Sequence, residues 1–167
     1  MIKQQNKRSK SHGFSKALCC AGWLAAAALS ISPAEAVVDD AHSFALEAAQ
    51  SYVEEQGVRI RYDYASGRLE NEESSRVGYQ VFRGNRYWFF LGSSEEGTAL
   101  EMEVTDVDGN VIEGELKKVG EALVFEFKPE RTMLVAVRIS GVVKDMEGFN
   151  WALVYGYKTG GVVKKDE

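Results

Sequence analysis

Cysteine is scarce in this 167-residue sequence, and both of its cysteines, Cys19 and Cys20, lie near the amino terminus. The sequence also has only two histidines and two prolines. If the amino-terminal region is removed, as argued next, the remaining chain has no disulfide, no thiol nucleophile and no thiolate metal site. A single histidine, His42, then remains, which does not support a zinc site or a Ser-His-Asp triad.

The first 36 residues have the layout of a secretory signal peptide. A stretch with five Lys or Arg residues precedes an uncharged, mostly apolar run over residues 17–31, and small residues precede Ala36. The run is shorter than the ~20 residues that a membrane helix needs. We therefore expect cleavage after Ala36, no membrane span afterwards, and a periplasmic or extracellular protein. A retained anchor or a lipid on Cys20 are the alternatives, although the residues before Cys20 match a lipidation motif poorly.

The chain that remains after cleavage is acidic. The full sequence has 20 basic and 25 acidic residues. Removing residues 1–36 takes away five basic residues and one acidic one, which leaves 15 basic and 24 acidic residues and a formal net charge of −9. Such a protein is repelled by nucleic acid and by anionic lipid, so we expect neither as a partner.

Apolar residues recur at helical spacing just after the expected cleavage site. Ala41, Ala45, Ala48 and Tyr52 belong to this stripe, and Gly57 provides a stop. The pattern predicts one amphipathic helix over about residues 40–56, within a segment 37–57, with Asp39 and Asp40 capping its amino terminus.

From residue 58 the hydrophobic period changes from 3.6 to 2, which is typical of strands. Alternating runs cover residues 58–64, 76–82, 86–91, 100–104, 122–127, 133–139 and 149–157, with short extended pieces near 68–69 and 111–115. Seven or eight short strands separated by turns predict an all-β fold, an antiparallel, jelly-roll-like β-sandwich over residues 58–158. Residues 159–167 have no periodicity and are predicted to be a flexible tail.

The part of the chain from residue 84 to 157 resembles the bacterial pre-peptidase C-terminal domain. The matching motifs are a glycine before an aromatic strand (residues 84–90), alternating apolar residues before an Asp-x-x-Gly turn (100–109), a strand ending near proline (125–129), a Val-rich strand ending in arginine (134–138) and a last strand with glycine and aromatics (148–155). The resemblance implies a β-sandwich and a secreted accessory role, often adhesion to polymeric substrates. The peptidase that such domains accompany is not part of this sequence.

Aromatic residues supply the main binding candidates. Tyr87, Trp88, Trp151 and Tyr155, together with Tyr157, could form an exposed strip for sugar rings, although their alternation with apolar residues favours burial in the core. Residues 87–90 are aromatic on both faces of their strand. One face must line the sandwich interior, and the other is either covered by the amino-terminal helix, which we favour, or exposed as a binding patch.

Three oxygen-bearing side chains, Asp106, Asp108 and Asn110, stand at alternate positions around Gly109. This spacing resembles the first positions of a calcium-binding loop. The glycine and the distal glutamate that such a loop requires are not at the right positions here. An ordinary β-turn is the favoured interpretation, so we expect no metal and no cofactor.

These features favour an exported, non-catalytic binding or accessory module for a polysaccharide or for an envelope or secreted protein. An alternative is an assembly subunit that binds a partner protein through its aromatic face. A weaker alternative is a small hydrolase using paired carboxylates, such as Glu101 and Glu103 on one strand face.

Overall fold

The computed structural model describes residues 33–160, with side chains described from residue 40 onward. They form one helix, α1 (Pro33–Gln56), and nine strands: β1 (Arg59–Ile60), β2 (Ala65–Glu70), β3 (Ser74–Val81), β4 (Asn85–Ser93), β5 (Ala99–Asp106), β6 (Glu115–Val119), β7 (Ala122–Phe127), β8 (Met133–Val142) and β9 (Gly148–Thr159). The all-β prediction is confirmed, with nine strands rather than seven or eight. Most of the expected leader and of the expected tail lies outside the described residues.

Two antiparallel sheets make the predicted sandwich. The larger sheet has the order β1-β9-β4-β7-β6, and β2 also pairs with β9. The smaller sheet has the order β3-β8-β5. Strand β9 is the centre of the larger sheet, because β4 pairs along one of its edges while β1 and β2 pair in succession along the other.

The core between the sheets follows from strand alternation. Inward positions on β4, β8 and β9 carry large apolar side chains that are almost fully buried: Tyr87, Phe89, Leu91, Val135, Val137, Ile139, Phe149, Trp151 and Leu153. Each fully buried side chain of this size stabilises the fold by about 1.5–3 kcal/mol relative to an exposed one.

The opposite face of the larger sheet is covered by helix α1. Trp88 and Phe90 on β4 pack with Ala45, Ala48 and Tyr52 of the helix in a second buried cluster. Both aromatic residues are almost fully buried. The aromatic residues on the second face of β4 are therefore covered by the amino-terminal helix, as favoured from the sequence.

The helix begins earlier than predicted. It starts at Pro33, not at Asp40, so Asp39 and Asp40 lie inside the helix and the predicted capping role is wrong. Proline suits the first helical turn, and the alanines that follow it favour helix. The expected cleavage site after Ala36 thus lies within α1. The predicted stop is confirmed, because Gly57 has a φ of 69° directly after the last helical residue.

Two strand predictions were wrong. Residues 58–64 form only the two-residue β1 followed by an irregular segment, whereas the short extended piece expected near residues 68–69 is part of the longer strand β2. Residues 111–115 make only an isolated bridge between Val111 and Thr105. Strand β6 was missed because it is a sheet edge whose side chains are mostly exposed, so its sequence lacks apolar alternation.

Candidate functional site

An aromatic groove opens at one end of the sandwich. It has a volume of about 370 Å³ and is lined by Arg61, Gln80, Phe82, Asn85, Tyr87, Tyr155 and Tyr157. We refer to these seven residues as the aromatic groove. They come from β3, β4, β9 and the segments after β1 and β3, so several distant parts of the sequence meet there.

The register of the larger sheet brings the tyrosines together. Tyr87 on β4 lies directly beside Tyr157 on β9, with 6.2 Å between the ring centroids. Tyr155 lies two residues before Tyr157 and therefore points to the same face of β9. Both β9 tyrosines are only partly buried, so part of each ring is available to a ligand.

The turn between β3 and β4 forms one wall of the groove. The hydroxyl of Tyr87 accepts hydrogen bonds from the backbone N–H of Phe82 at 2.9 Å and from the Asn85 side-chain amide at 3.2 Å. These bonds fix the turn, while the Phe82 side chain stays 50% exposed. The turn thus presents an apolar ring beside polar amide groups.

Arg61 enters the groove from the irregular segment after β1. Its backbone N–H donates to the carbonyl of Tyr155 at 3.0 Å, and its Nε donates to Asp63 Oδ1 at 3.1 Å. The other carboxylate oxygen of Asp63 accepts from the Tyr155 hydroxyl at 3.4 Å. The pKa of Asp63 is lowered, first by its own backbone N–H and then by Arg61, so this carboxylate stays ionised and holds the guanidinium beside the tyrosine.

Tyr79 lies behind Tyr155, and their ring centroids are 4.6 Å apart. Its hydroxyl is buried and has no hydrogen-bond partner among the described residues. Burial raises the pKa of Tyr79, and the neighbouring Tyr155 and Asp63 raise it further. The hydroxyl is therefore a neutral, unpaired polar group next to the groove.

The five aromatic candidates from the sequence separate into two groups. Tyr87, Tyr155 and Tyr157 line the groove. Trp88 and Trp151 are only 1% and 4% exposed, Trp88 under the helix and Trp151 between the sheets. The five therefore do not form one exposed strip. The groove residues missing from the prediction are Arg61, Gln80, Phe82 and Asn85, and no aromatic alternation pointed to the three polar ones.

The carboxylate of Asp106 is already occupied by its own turn. Its Oδ1 accepts from the backbone N–H groups of Asp108 and Asn110, both at 2.9 Å, and the Asn110 side-chain amide donates to Oδ2 at 3.0 Å. These bonds lower the pKa of Asp106, the Asn110 side chain contributing most. Asn110 turns its nitrogen, not its oxygen, towards Asp106, so these bonds close the turn on itself. Between residues 33 and 160, no three His, Cys, Asp or Glu side chains come together as a metal site.

No protein-family model and no curated protein sequence matches this chain. The helix that the structure describes is not apolar over enough of its length to cross a membrane. The groove geometry is therefore the main basis for a functional proposal.

Proposed function

We propose that this chain is an exported, non-catalytic binding module whose aromatic groove binds rings of a polysaccharide. The observation that carries the proposal is the combination of partly exposed aromatic rings with planar polar side chains in one groove. A sugar ring has apolar CH faces that pack on aromatic rings, and hydroxyls that suit guanidinium and amide groups. The volume of about 370 Å³ lies within the range of ligand pockets, roughly 300–1,000 Å³.

The lining of the groove supports binding rather than hydrolysis. Its seven residues are Arg, Gln, Phe, Asn and Tyr, with no Asp, Glu, His or Cys. Glycoside hydrolysis commonly requires two carboxyl groups on opposite sides of the bond, and Asp63, which contacts the lining residues Arg61 and Tyr155, is engaged by Arg61. The resemblance to pre-peptidase C-terminal domains, which are secreted accessory sandwiches, points in the same direction.

The assembly-subunit alternative has less support. It depended on an exposed aromatic face, and the outward aromatic residues of β4 lie under α1 instead. We therefore propose the binding module alone, and a protein partner becomes one outcome of the test.

The test is co-sedimentation of residues 37–167 with insoluble polysaccharides, namely peptidoglycan sacculi, cellulose and chitin, alongside in-cell crosslinking. Phe82→Ala and Arg61→Gln change exposed groove residues. Val142→Ala, on a side chain that is 50% exposed at the far end of β8 in the other sheet, is the matched control. We expect wild type and the control to pellet equally, and Phe82→Ala to bind roughly three- to tenfold more weakly, since one aromatic stacking contact is worth about 0.5–1.5 kcal/mol.

Two outcomes would contradict the proposal. One is equal pelleting of wild type and both groove variants, which would place binding elsewhere on the molecule. The other is an empty pellet with every polysaccharide together with a discrete crosslinked protein, which would favour the assembly subunit.

A further inference from the structure

Three basic side chains form a row across the end of the larger sheet, on the face opposite the aromatic groove. Arg86 on β4 lies directly beside Lys158 on β9. Because Tyr87 pairs with Phe127, the next position places Lys128 beside Arg86 on its other side. We call Lys158, Arg86 and Lys128 the basic row.

The basic row lies just beyond the end of the covering helix. Trp88, two residues after Arg86, packs under α1 on this face. The helix ends at Gln56, so it does not cover the row. The row lines a pocket of about 300 Å³ together with Trp88, Gln56, Gly84, Thr159 and Gly160.

The positive charge of the row is only partly neutralised. Arg86 Nη1 lies 3.0 Å from Glu126 Oε1, while the second oxygen of Glu126 accepts from the indole N–H of Trp88 at 3.0 Å. Lys158 Nζ donates to the carbonyl of Gln56 at 2.6 Å, which leaves two of its three donors free. Among residues 33–160, neither Lys158 nor Lys128 has a carboxylate oxygen within 4.0 Å. Three cations and one carboxylate give the pocket a net charge of about +2.

This arrangement costs stability unless an anion is present. Like charges directly opposite each other on neighbouring strands destabilise a sheet, and Arg86 and Lys158 are such a pair, with Lys128 one residue past the end of β7 on the other side of Arg86. The chain is acidic overall, with 25 acidic and 20 basic residues, so carboxylates are plentiful, yet among the described residues only Glu126 lies within 4.0 Å of a cation of the row. An unfavourable cluster that could easily have been neutralised indicates a site that receives its counter-charge from a ligand.

The row and the aromatic groove lie on opposite faces of the same two strand ends. On β4, Asn85 and Tyr87 face the groove while Arg86 faces the row. On β9, Tyr157 and Lys158 alternate in the same way. The turn between β3 and β4 forms the rim between the two sites, so an extended ligand lying in the groove reaches the row by passing over this turn.

We propose that the basic row is an oxyanion subsite, and that the groove ligand is an acidic polysaccharide whose carboxylate or phosphate groups bind at the row. This inference rests on the proposed polysaccharide binding for the identity of the ligand, but the oxyanion subsite itself is tested independently. The Lys128 and Lys158 ammonium groups contact the anion directly. Glu126, which accepts a hydrogen bond from the Trp88 indole N–H, holds Arg86 in place between the two lysines.

The negative net charge of the protein does not prevent this. At physiological ionic strength the Debye length is about 8 Å. Carboxylates further away than this are largely screened, so the local charge of the row determines the contact. The same screening predicts that binding weakens as salt is raised.

The first arm of the test titrates the ¹⁵N-labelled chain, residues 37–167, with inorganic phosphate and follows the indole N–H of Trp88 and the amide of Gly160 by NMR. We expect saturable shifts in wild type, weakened roughly fivefold or more in Lys128→Gln and Lys158→Gln through loss of a charge-assisted contact. Lys144→Gln, an exposed lysine in the loop between β8 and β9, removes the same charge and should behave as wild type. Shifts that do not saturate, or an equal loss in the Lys144 variant, would overturn the subsite. Thermal unfolding separates binding from folding, because we expect Lys128→Gln to melt no lower than wild type once the like-charge row is relieved.

The second arm compares retention on polygalacturonate and on its neutral methyl ester. We expect stronger retention on the acidic polymer, and loss of that difference in the two lysine variants of the row. If the two polymers retain wild type and the row variants equally, polysaccharide binding stands and the row has no part in it. If phosphate saturates at the row but neither polymer is retained, the oxyanion subsite stands and an acidic polysaccharide as its ligand is contradicted. The role of the row would also be overturned if Phe82→Ala abolished retention of the protein on the acidic polymer while both lysine variants were retained as well as wild type.

Discussion

At the scale of single residues, two tyrosine hydroxyls, one in the groove lining and one behind it, differ in their hydrogen bonding. The Tyr87 hydroxyl accepts from the Phe82 N–H and the Asn85 amide. The Tyr79 hydroxyl, buried behind the groove, has no partner among the described residues. Since a buried unpaired polar group costs free energy while a paired one contributes to stability, the two residues should respond oppositely to loss of the hydroxyl.

We predict that Tyr87→Phe lowers the free energy of unfolding by about 1 kcal/mol, because it removes the acceptor of two donors in the β3–β4 turn. Tyr79→Phe should leave stability unchanged or raise it by up to about 1 kcal/mol. Urea denaturation followed by tryptophan fluorescence measures both, and each variant is the matched control for the other. A larger loss in Tyr79→Phe than in Tyr87→Phe would show that the Tyr79 hydroxyl has a bonding partner.

Strand alternation correctly predicted which residues share a face, but not which of them lie in the groove. Trp151, Tyr155 and Tyr157 all point to the same side of β9, yet only the two tyrosines line the groove. The difference arises because the smaller sheet has three strands and leaves the end of β9 only partly covered. The extent of overlap between two sheets depends on the whole topology, and a local period carries no information about it. Arg61 was unpredictable for a related reason, since it follows a strand that ends after two residues.

At the scale of elements, the contact between helix and sheet depends on small side chains at one end and large ones at the other. Gly92 on β4 lies against Ala41 and Ala45, so the helix backbone approaches the sheet closely there. At its carboxyl end the helix places Tyr52 against Trp88 and Phe90, with ring centroids 6.4 Å and 5.5 Å apart. The small residues thus allow close approach near Gly92, while aromatic rings fill the space between helix and sheet near Trp88.

We predict that Gly92→Ala destabilises the fold by about 1–3 kcal/mol, the usual cost of overpacking. The added Cβ would lie 2.2 Å from the Ala41 carbonyl oxygen and 2.9 Å from the Ala45 nitrogen, both backbone atoms that can move only with the helix. Displacing the helix should also make Trp88 more accessible to acrylamide quenching. Gly78→Ala is the control, because the nearest atom to its Cβ is 4.0 Å away and replacing a strand glycine gains up to about 1 kcal/mol. Equal stability of the two variants would mean that α1 does not pack as closely as described.

At the scale of the whole molecule, the fold depends on a strand near the end of the sequence. Strand β9 pairs with β1, β2 and β4. It contributes Phe149, Trp151 and Leu153 to the core between the sheets and Val154 to the core under the helix. Neither core can be completed before residues 148–159 are available, so sheet formation requires contacts between distant parts of the chain. Such topologies fold slowly, in about milliseconds to seconds.

We therefore predict that a chain ending at residue 147 does not fold, whereas one ending at residue 160 unfolds at the same temperature as residues 37–167. The shorter chain keeps α1 and the segments of the other eight strands, but β1 and β2 lose their only pairing partner, and Trp88 and Phe90 lose the neighbouring strand. Far-UV circular dichroism and the tryptophan emission maximum distinguish the two, since the shorter chain should show no cooperative thermal transition. A cooperative transition in the chain ending at 147 would mean that β4, β7 and the helix form a stable unit without β9. The groove tyrosines Tyr155 and Tyr157 would then be dispensable for the fold, and their place on its central strand would be explained by binding alone.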